Sequence, residues 1–181
     1  FDIEEVGQPI QFRWGKCKLA TSSYGHGITT TPLQLAKGYS IITNGGYDIK
    51  PTLIKKNNRE NTKKRILNKG VSEKINLILR KIVSTKEGTA NFANIPGYEV
   101  GGKTGTAMLI DKFGKYQKDS NLTSFISVFP VSEPRYVILA LVENPKKIKE
   151  ENYNITGASV AAPLVKQIIL KMIEILTITT P

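Results

Sequence analysis

At 181 residues the chain is long enough for one domain with a real core, or for a large piece of one. Apolar residues make up 40% and charged residues 23%, which is ordinary, but the formal net charge of +11 favours anionic surroundings such as nucleic acid, phospholipid headgroups or acidic cell-wall polymer. The one cysteine, Cys17, excludes an intrachain disulfide, and one His with one Cys cannot make a zinc site without carboxylates arranged for it.

From the N-terminus, residues 1–23 read as irregular, broken by Gly7-Gln8-Pro9 and Trp14-Gly15-Lys16, as though the chain opens in the middle of a domain. Thr31 then makes a natural N-cap with Pro32 at the first helical position. Leu33, Leu35, Ala36, Tyr39 and Ile42 supply an apolar stripe, and Gly45-Gly46 end that helix. Residues 55–69 form a polar, basic connector without interleaved aromatic or recognition residues, so they read as a solvated loop and not as a nucleic-acid surface. From Val71 a helical pattern returns, with Val71, Ile75, Ile78, Leu79 and Ile82 on one face. Glu87-Gly88-Thr89-Ala90 ends it and begins a loop through Ile95-Pro96-Gly97.

Three strands follow. The first contains Lys103 and runs into Met108, Leu109 and Ile110; a turn with Gly114 at its tip leads to the second, residues 122–131. A second turn at Ser132-Glu133-Pro134 feeds residues 136–142, which are nearly all apolar and read as a buried central strand. Short turns imply an antiparallel meander with the Lys103 strand on the outside. The final helix begins at Gly157 or Ser159 with Pro163 in its first turn. Its stripe is Val160, Leu164, Ile168 and Met172, flanked by Ala161, Val165, Ile169 and Ile173. The most apolar stretch, residues 160–176, is interrupted by Lys166, Gln167, Lys171 and Glu174, too polar to cross a bilayer, and no signal-peptide pattern is visible in these residues. The implied class is α+β, helices packed on an antiparallel sheet.

The chemistry concentrates in Val100-Gly101-Gly102-Lys103-Thr104-Gly105-Thr106-Ala107. Gly105 leaves the strand backbone unscreened, so a ligand can lie directly against the strand edge. Lys103 adds a positive charge, and Thr104 and Thr106 add hydroxyls that donate or accept. Together these groups suit a carboxylate, or a carbonyl becoming an oxyanion. Other chemistries lack their parts. His26 sits in a Gly-rich turn and no Gly-x-Ser-x-Gly elbow accompanies it. Gly101-Gly102-Lys103-Thr104 ends like a phosphate loop, and Gly97 stands at that motif's first glycine, but Lys103 runs on into a strand where a phosphate loop opens a helix.

Lys103-Thr104-Gly105-Thr106-Ala107, on a strand after a helix and a Gly-rich corner, resembles the third active-site motif of penicillin-binding proteins and serine β-lactamases. Upstream, Tyr24-Gly25-His26-Gly27 followed by Thr31-Pro32-Leu33-Gln34-Leu35-Ala36 is similar to the glycine turn and helix of class B penicillin-binding proteins. Downstream, Ser124-Phe125-Ile126-Ser127-Val128-Phe129-Pro130 with Pro134-Arg135-Tyr136 resembles that family's next two strands, and Gly157-Ala158 through Ala162-Pro163 the start of its last helix. The blocks stand in the family's order over nearly the whole chain and lie closest to the division-type, monofunctional transpeptidases.

The resemblance implies a serine-type peptidoglycan D,D-transpeptidase. In it Lys103, Thr104 and Thr106 are catalytic, and Lys103, Thr104, Gly105 and Thr106 bind substrate, with no metal or organic cofactor. Its implied partners are peptidoglycan stem peptides, β-lactam antibiotics and division-complex membrane proteins, with no nucleic acid, at the periplasmic face of the bacterial inner membrane. The family also needs a nucleophile in Ser-x-x-Lys and a second motif Ser-x-Asn, both before Lys-Thr-Gly. No serine here, from Ser22 to Ser159, has Lys three residues on or Asn two residues on. Residues 1–181 are thus expected to be the C-terminal portion of one transpeptidase domain. The upstream half, itself a partner, would supply the nucleophile and two sheet strands, so residues 136–142 are expected to keep an unpaired edge in this chain. Two other readings stay open: a penicillin-sensing or β-lactamase-like domain with the same Lys-Thr-Gly wall, and a non-catalytic basic domain binding nucleic acid or anionic membrane with steep salt dependence.

Overall fold

The structure, a computed structural model, describes residues 14–25, 27–54, 64–110, 115–146 and 154–179. The readings made for His26, for the Gly114 turn tip, for residues 1–13 and for most of the basic connector lie outside these. The elements run α1 (Lys18–Ser22), α2 (Pro32–Thr43), α3 (Lys69–Ser84), β1 (Gly101–Ile110), β2 (Tyr116–Phe129), β3 (Tyr136–Glu143) and α4 (Ala162–Leu176). A 3-10 turn, Asn91–Ala93, precedes β1, and a π turn, Gly157–Ala161, leads into α4. The class is α+β, as the sequence implied. Within the stretch read as irregular, α1 is one short helical turn.

Local chemistry sets the helix ends. Thr31 Oγ1 accepts from the Gln34 N–H at 3.2 Å while Gln34 Oε1 accepts from the Thr31 N–H at 3.0 Å, a reciprocal cap just before α2 begins at Pro32. Gly45 and Gly46, at φ +90° and +86°, take the chain out of the helix. The residues of α2 buried most deeply are Ile41 and Thr43, with Leu33, Leu35, Ala36, Tyr39 and Ile42 half-buried around them.

The face that α3 buries differs from the apolar stripe. Val71 and Ile78 are exposed, whereas Ser72, Asn76, Leu79 and Val83 are buried. The reason is a polar docking onto the end of α2. Ser72 Oγ accepts from the Gly45 N–H at 3.0 Å, and Asn76 Nδ2 donates to the Thr43 carbonyl at 3.0 Å. Those bonds satisfy backbone groups that the helix end leaves open, and they rotate α3 by about one residue's turn from the purely hydrophobic solution.

The sheet is antiparallel in the order β1-β2-β3, with Lys103 opposite Ile126, Gly105 opposite Ser124, and Phe125 opposite Ala140. The Lys103 strand lies outside, as expected. The strand between its neighbours is β2, not residues 136–142: β3 takes the other side of the sheet. Among the described residues β3 has a neighbour on one side only, the unpaired edge expected for residues 136–142. Its side chains are half-buried apart from buried Ala140 and exposed Leu141 and Glu143, with α2 and α4 packed near it.

Between the sheet and α4 lies the main core, in which Val100, Phe125, Phe129, Val165 and Ile169 are fully buried. A smaller core joins Leu79, Val128 and Val131 on the α3 side, with Tyr39, Ile75 and Ile82 against it. Complete burial of one such side chain contributes about 1.5–3 kcal/mol relative to exposure. For α4 the buried row is Ala161, Ala162, Val165 and Ile169, three of them from the broad stripe expected to cover the sheet, while Leu164 and Ile168 of that stripe are exposed. The small Ala161 and Ala162 let the start of this helix approach the sheet closely, and that approach selects the face. Among the described residues no helix is long and apolar enough to cross a membrane.

Candidate active site

The four residues singled out in sequence are consecutive on the outer strand, so β1 alone positions them. Its entry depends on close packing. A Cβ on Gly101 would stand 2.7 Å from Val131 Cγ2 and 3.2 Å from the Arg80 backbone nitrogen. One on Gly102 would stand 2.5 Å from Phe125 Cζ and 2.6 Å from the Ile126 carbonyl oxygen. Arg80 Nη1 meanwhile donates to the Val100 carbonyl at 2.8 Å and to Asn94 Oδ1 at 3.3 Å, tying the approach to β1 onto α3.

Beyond the glycines the strand becomes accessible. Lys103 and Thr106 are exposed, and Thr104 and Gly105 half-buried. Strand alternation puts Lys103 and Gly105 on one face and Thr104 and Thr106 on the other. Lys103 Nζ donates to the Thr104 carbonyl at 2.9 Å, and among the described residues no carboxylate pairs with it. Its charge is therefore available to an anion at this edge. Gly105 has one close neighbour on its side-chain face, Ser124 Oγ, 2.5 Å from where a Cβ would stand.

The two threonines hold different partners. Thr104 Oγ1 donates to Thr89 Oγ1 at 3.3 Å, and Thr106 Oγ1 accepts from the Gly157 N–H at 2.9 Å. Sequence reasoning named Thr89 and Gly157 as parts of a loop and of a helix start, but it had no signal that they touch the strand. Gly157 lies 51 residues from Thr106 and contributes only a backbone amide. Its trace in the sequence is the glycine itself, since a Cβ there would collide with the Ser124 carbonyl and stand 2.5 Å from the Gly105 carbonyl oxygen. Among the described residues no three His, Cys, Asp or Glu side chains gather in a metal-binding arrangement.

The result is an α+β wall with an exposed Lys-Thr-Gly-Thr edge strand and a helix packed on the sheet. Residues 1–170 match the family described as penicillin binding protein transpeptidase domain, and the chain belongs to that family. It is 34% identical over 181 residues to stage V sporulation protein D of Bacillus subtilis strain 168, covering 92% of this chain and 27% of that protein. It is 36% identical over 169 residues to the peptidoglycan D,D-transpeptidase FtsI of Buchnera aphidicola, covering 90% and 28%. Among solved structures it is similar to the apo TP domain of Burkholderia pseudomallei penicillin-binding protein 3, with TM-score 0.80 and 28% identity over 92% of this chain and 49% of that one. Penicillin-binding protein 3 of Mycobacterium tuberculosis complexed with ampicillin gives 0.79 and 26%, over 93% and 40%. The chain thus spans about half of the solved TP domain and under a third of those two sequence relatives.

Proposed function

We propose that this chain is the C-terminal portion of a peptidoglycan D,D-transpeptidase domain that cross-links stem peptides, acting at the division septum on the periplasmic face of the inner membrane. The observation that carries the reading is the open edge of β1, where a positive side chain, a bare glycine backbone and two hydroxyls stand in succession. Relatives named D,D-transpeptidase support a transferase over a sensing or hydrolysing domain. The FtsI names among them support the septal role.

The chemistry follows from what each group can do. A serine from the upstream half attacks the D-Ala-D-Ala carbonyl carbon, and the terminal D-Ala leaves as an amine carrying the serine's proton. An amine of a neighbouring stem then attacks the acyl-serine ester, a new amide forms, and the proton returns to serine. Lys103 supplies positive potential to this site and contacts the serine of the second motif. The hydroxyls of Thr104 and Thr106 bind the carboxylate of the substrate or of a β-lactam. The Thr106 N–H forms half of the oxyanion hole, a donor whose loss costs about 3–4 kcal/mol in the transition state. Gly105 lets the substrate peptide add to the strand edge, as extended peptides do at other exposed edges. No step requires a metal or an organic cofactor. The partners are stem peptides, β-lactam antibiotics, the upstream half of the domain and membrane proteins of the division complex.

Covalent labelling tests this. With a fluorescent penicillin, read by gel and intact mass, the isolated chain should stay unlabelled, since it holds no Ser-x-x-Lys. Joined to an upstream half carrying Ser-x-x-Lys and Ser-x-Asn, it should take up one penicillin per molecule. Stoichiometric acylation of the isolated chain would place the chemistry elsewhere.

A further inference from the structure

We infer that Gly157 is a positioning residue for substrate recognition: its backbone N–H, coming from the π turn before α4, fixes the Thr106 hydroxyl as an acceptor toward that turn, so that the hydroxyl proton is free to be presented outward to a carboxylate. The inference rests on the carboxylate-binding role proposed above for Thr106. A backbone N–H can only donate, so the 2.9 Å contact makes Thr106 Oγ1 the acceptor. A threonine hydroxyl has one proton, and that proton must then point away from Gly157. Thr106 is exposed at the strand edge, so a solvent-facing position stays open to that proton, and an anion arriving at the edge would meet it there.

Thr104 shows what happens without such an amide. Its hydroxyl donates to Thr89 Oγ1, so its proton is already engaged within the protein. Two residues alike in sequence are thereby given different tasks. Thr106 offers a ready donor to an anion, and Thr104 offers one after breaking a bond to Thr89.

The Gly157 amide is itself held in place. Thr156 Oγ1 accepts from the Ser159 N–H at 3.2 Å and Ser159 Oγ accepts from the Thr156 N–H at 3.1 Å, a reciprocal cap around the turn. Ser159 Oγ also donates to the Asn154 carbonyl at 2.6 Å. Glycine is needed at 157 because the turn rests directly on the strand backbones at Gly105 and Ser124, leaving no room for a Cβ. Any side chain there lifts the amide off Thr106 and frees the hydroxyl to rotate.

The test uses the full-length transpeptidase containing this sequence and compares acylation rates for benzylpenicillin with those for its methyl ester, which lacks the anion. Thr106→Val and Gly157→Ala should each slow acylation by the free acid about tenfold or more, the scale of a lost hydrogen bond to a charged group, and slow the ester far less. The double variant should be no slower than Thr106→Val alone, and Thr106→Ser should restore most of the rate. Thr104→Val should cost less than Thr106→Val. Because alanine at 157 could displace the whole turn, amide hydrogen exchange supplies a check that leaves that residue intact. Gly157 should exchange faster in Thr106→Val and remain protected in Thr106→Ser. Additive effects in the double variant, equal losses with acid and ester, or unchanged Gly157 protection in Thr106→Val would each overturn the inference. Wild-type protein that is not acylated at all would overturn the transpeptidase reading beneath it, an outcome distinct from these.

Discussion

The three-stranded sheet has two outer edges, and they are made of different material. Along β1 the edge carries Lys103, Gly105 and Thr106, polar or bare, with Lys103 and Thr106 exposed. Along β3 the residues are Val137, Ile138, Leu139, Ala140, Leu141 and Val142, and among the described residues no further strand pairs with them. Both edges present open backbone donors and acceptors, so topology alone does not separate them. Side chains do. An edge meant for a ligand that comes and goes needs solvation when empty, and charge and glycine provide it. An apolar strand with an open edge is a template for permanent pairing, and it invites association when left unpaired. In our reading β1 ends the sheet, whereas β3 is where the sheet continues, with strands from the upstream half.

The largest effect should come from the β1 edge. In the complete domain, Lys103→Ala should slow acylation by about 10²–10³-fold, the range seen when a preorganised group facing transition-state charge is removed. Thermal stability should hardly change, because substitutions at exposed sites without special contacts usually stay within about 0.5 kcal/mol. Acylation at an unchanged rate would mean that the polar edge serves something other than chemistry. The β3 edge should respond in the opposite way. The chain alone should self-associate near neutral pH, and Leu141→Lys, at a position 40% exposed, should reduce that association measurably by light scattering without altering chemistry in the complete domain. A sharp, reversible, monomeric unfolding transition for the isolated chain would break the contrast between the edges.

Much of this contrast was legible in the sequence, and the limits have physical causes. The start of α2 was readable because Thr31 and Pro32 act within one turn, and its end because Gly45-Gly46 permits positive φ. The meander was readable because short turns leave three apolar runs few other ways to pair. The face of α3 was not, and the broad stripe of α4 was readable only as a whole, its Ala161, Val165 and Ile169 row being the buried one, since an apolar stripe says that a helix is buried and leaves its rotation to particular contacts. In α3 those contacts are polar, through Ser72 and Asn76, and in α4 they are steric, through Ala161 and Ala162. At the site, the four consecutive residues of β1 were visible as a motif. Thr89 and Gly157 were not visible as contacts, because a hydroxyl on a loop and a backbone amide across 51 residues leave no pattern at any local period.

Two glycines of β1 sharpen the comparison further, with a smaller effect. Gly102 and Gly105 lie three residues apart on the same strand but on opposite faces. A Cβ on Gly102 would press on Phe125 Cζ and the Ile126 carbonyl, and backbone cannot give way cheaply, so Gly102→Ala should cost about 1–3 kcal/mol by thermal or denaturant unfolding. At Gly105 the close atom is Ser124 Oγ, the end of a side chain that can rotate. Gly105→Ala should therefore leave stability nearly unchanged while slowing acylation, because its methyl group would stand where, in the proposed binding mode, the ligand backbone lies. Equal destabilisation by both would mean that the edge glycine serves packing and not access.

The smallest effect expected is on the far side of the sheet from α4, at Tyr39. This residue of α2 packs against the core of Leu79, Val128 and Val131, and burial raises its phenol above the ordinary value of 10.0. The sign follows from proton binding. In the unfolded chain the phenol ionises near pH 10, whereas in the folded protein it holds its proton to higher pH, so above pH 10 the folded state binds more protons. Its contribution to stability is thus fully present below pH 10 and is lost as the pH rises through the folded value. In denaturant titrations of the complete domain, wild type should lose stability more steeply than Tyr39→Phe from pH 10 upward, by about 1 kcal/mol or less for each pH step. Below pH 9 the two curves should run parallel. Acylation by penicillin at neutral pH should be the same in both, since Tyr39 packs against Leu79, Val128 and Val131 and is not among the hydrogen-bond partners of Lys103, Thr104 or Thr106. Parallel curves through pH 11 would show that the Tyr39 phenol meets the same solvent in the folded and unfolded states, and that the small core is looser than its packing against Leu79 and Val131 implies.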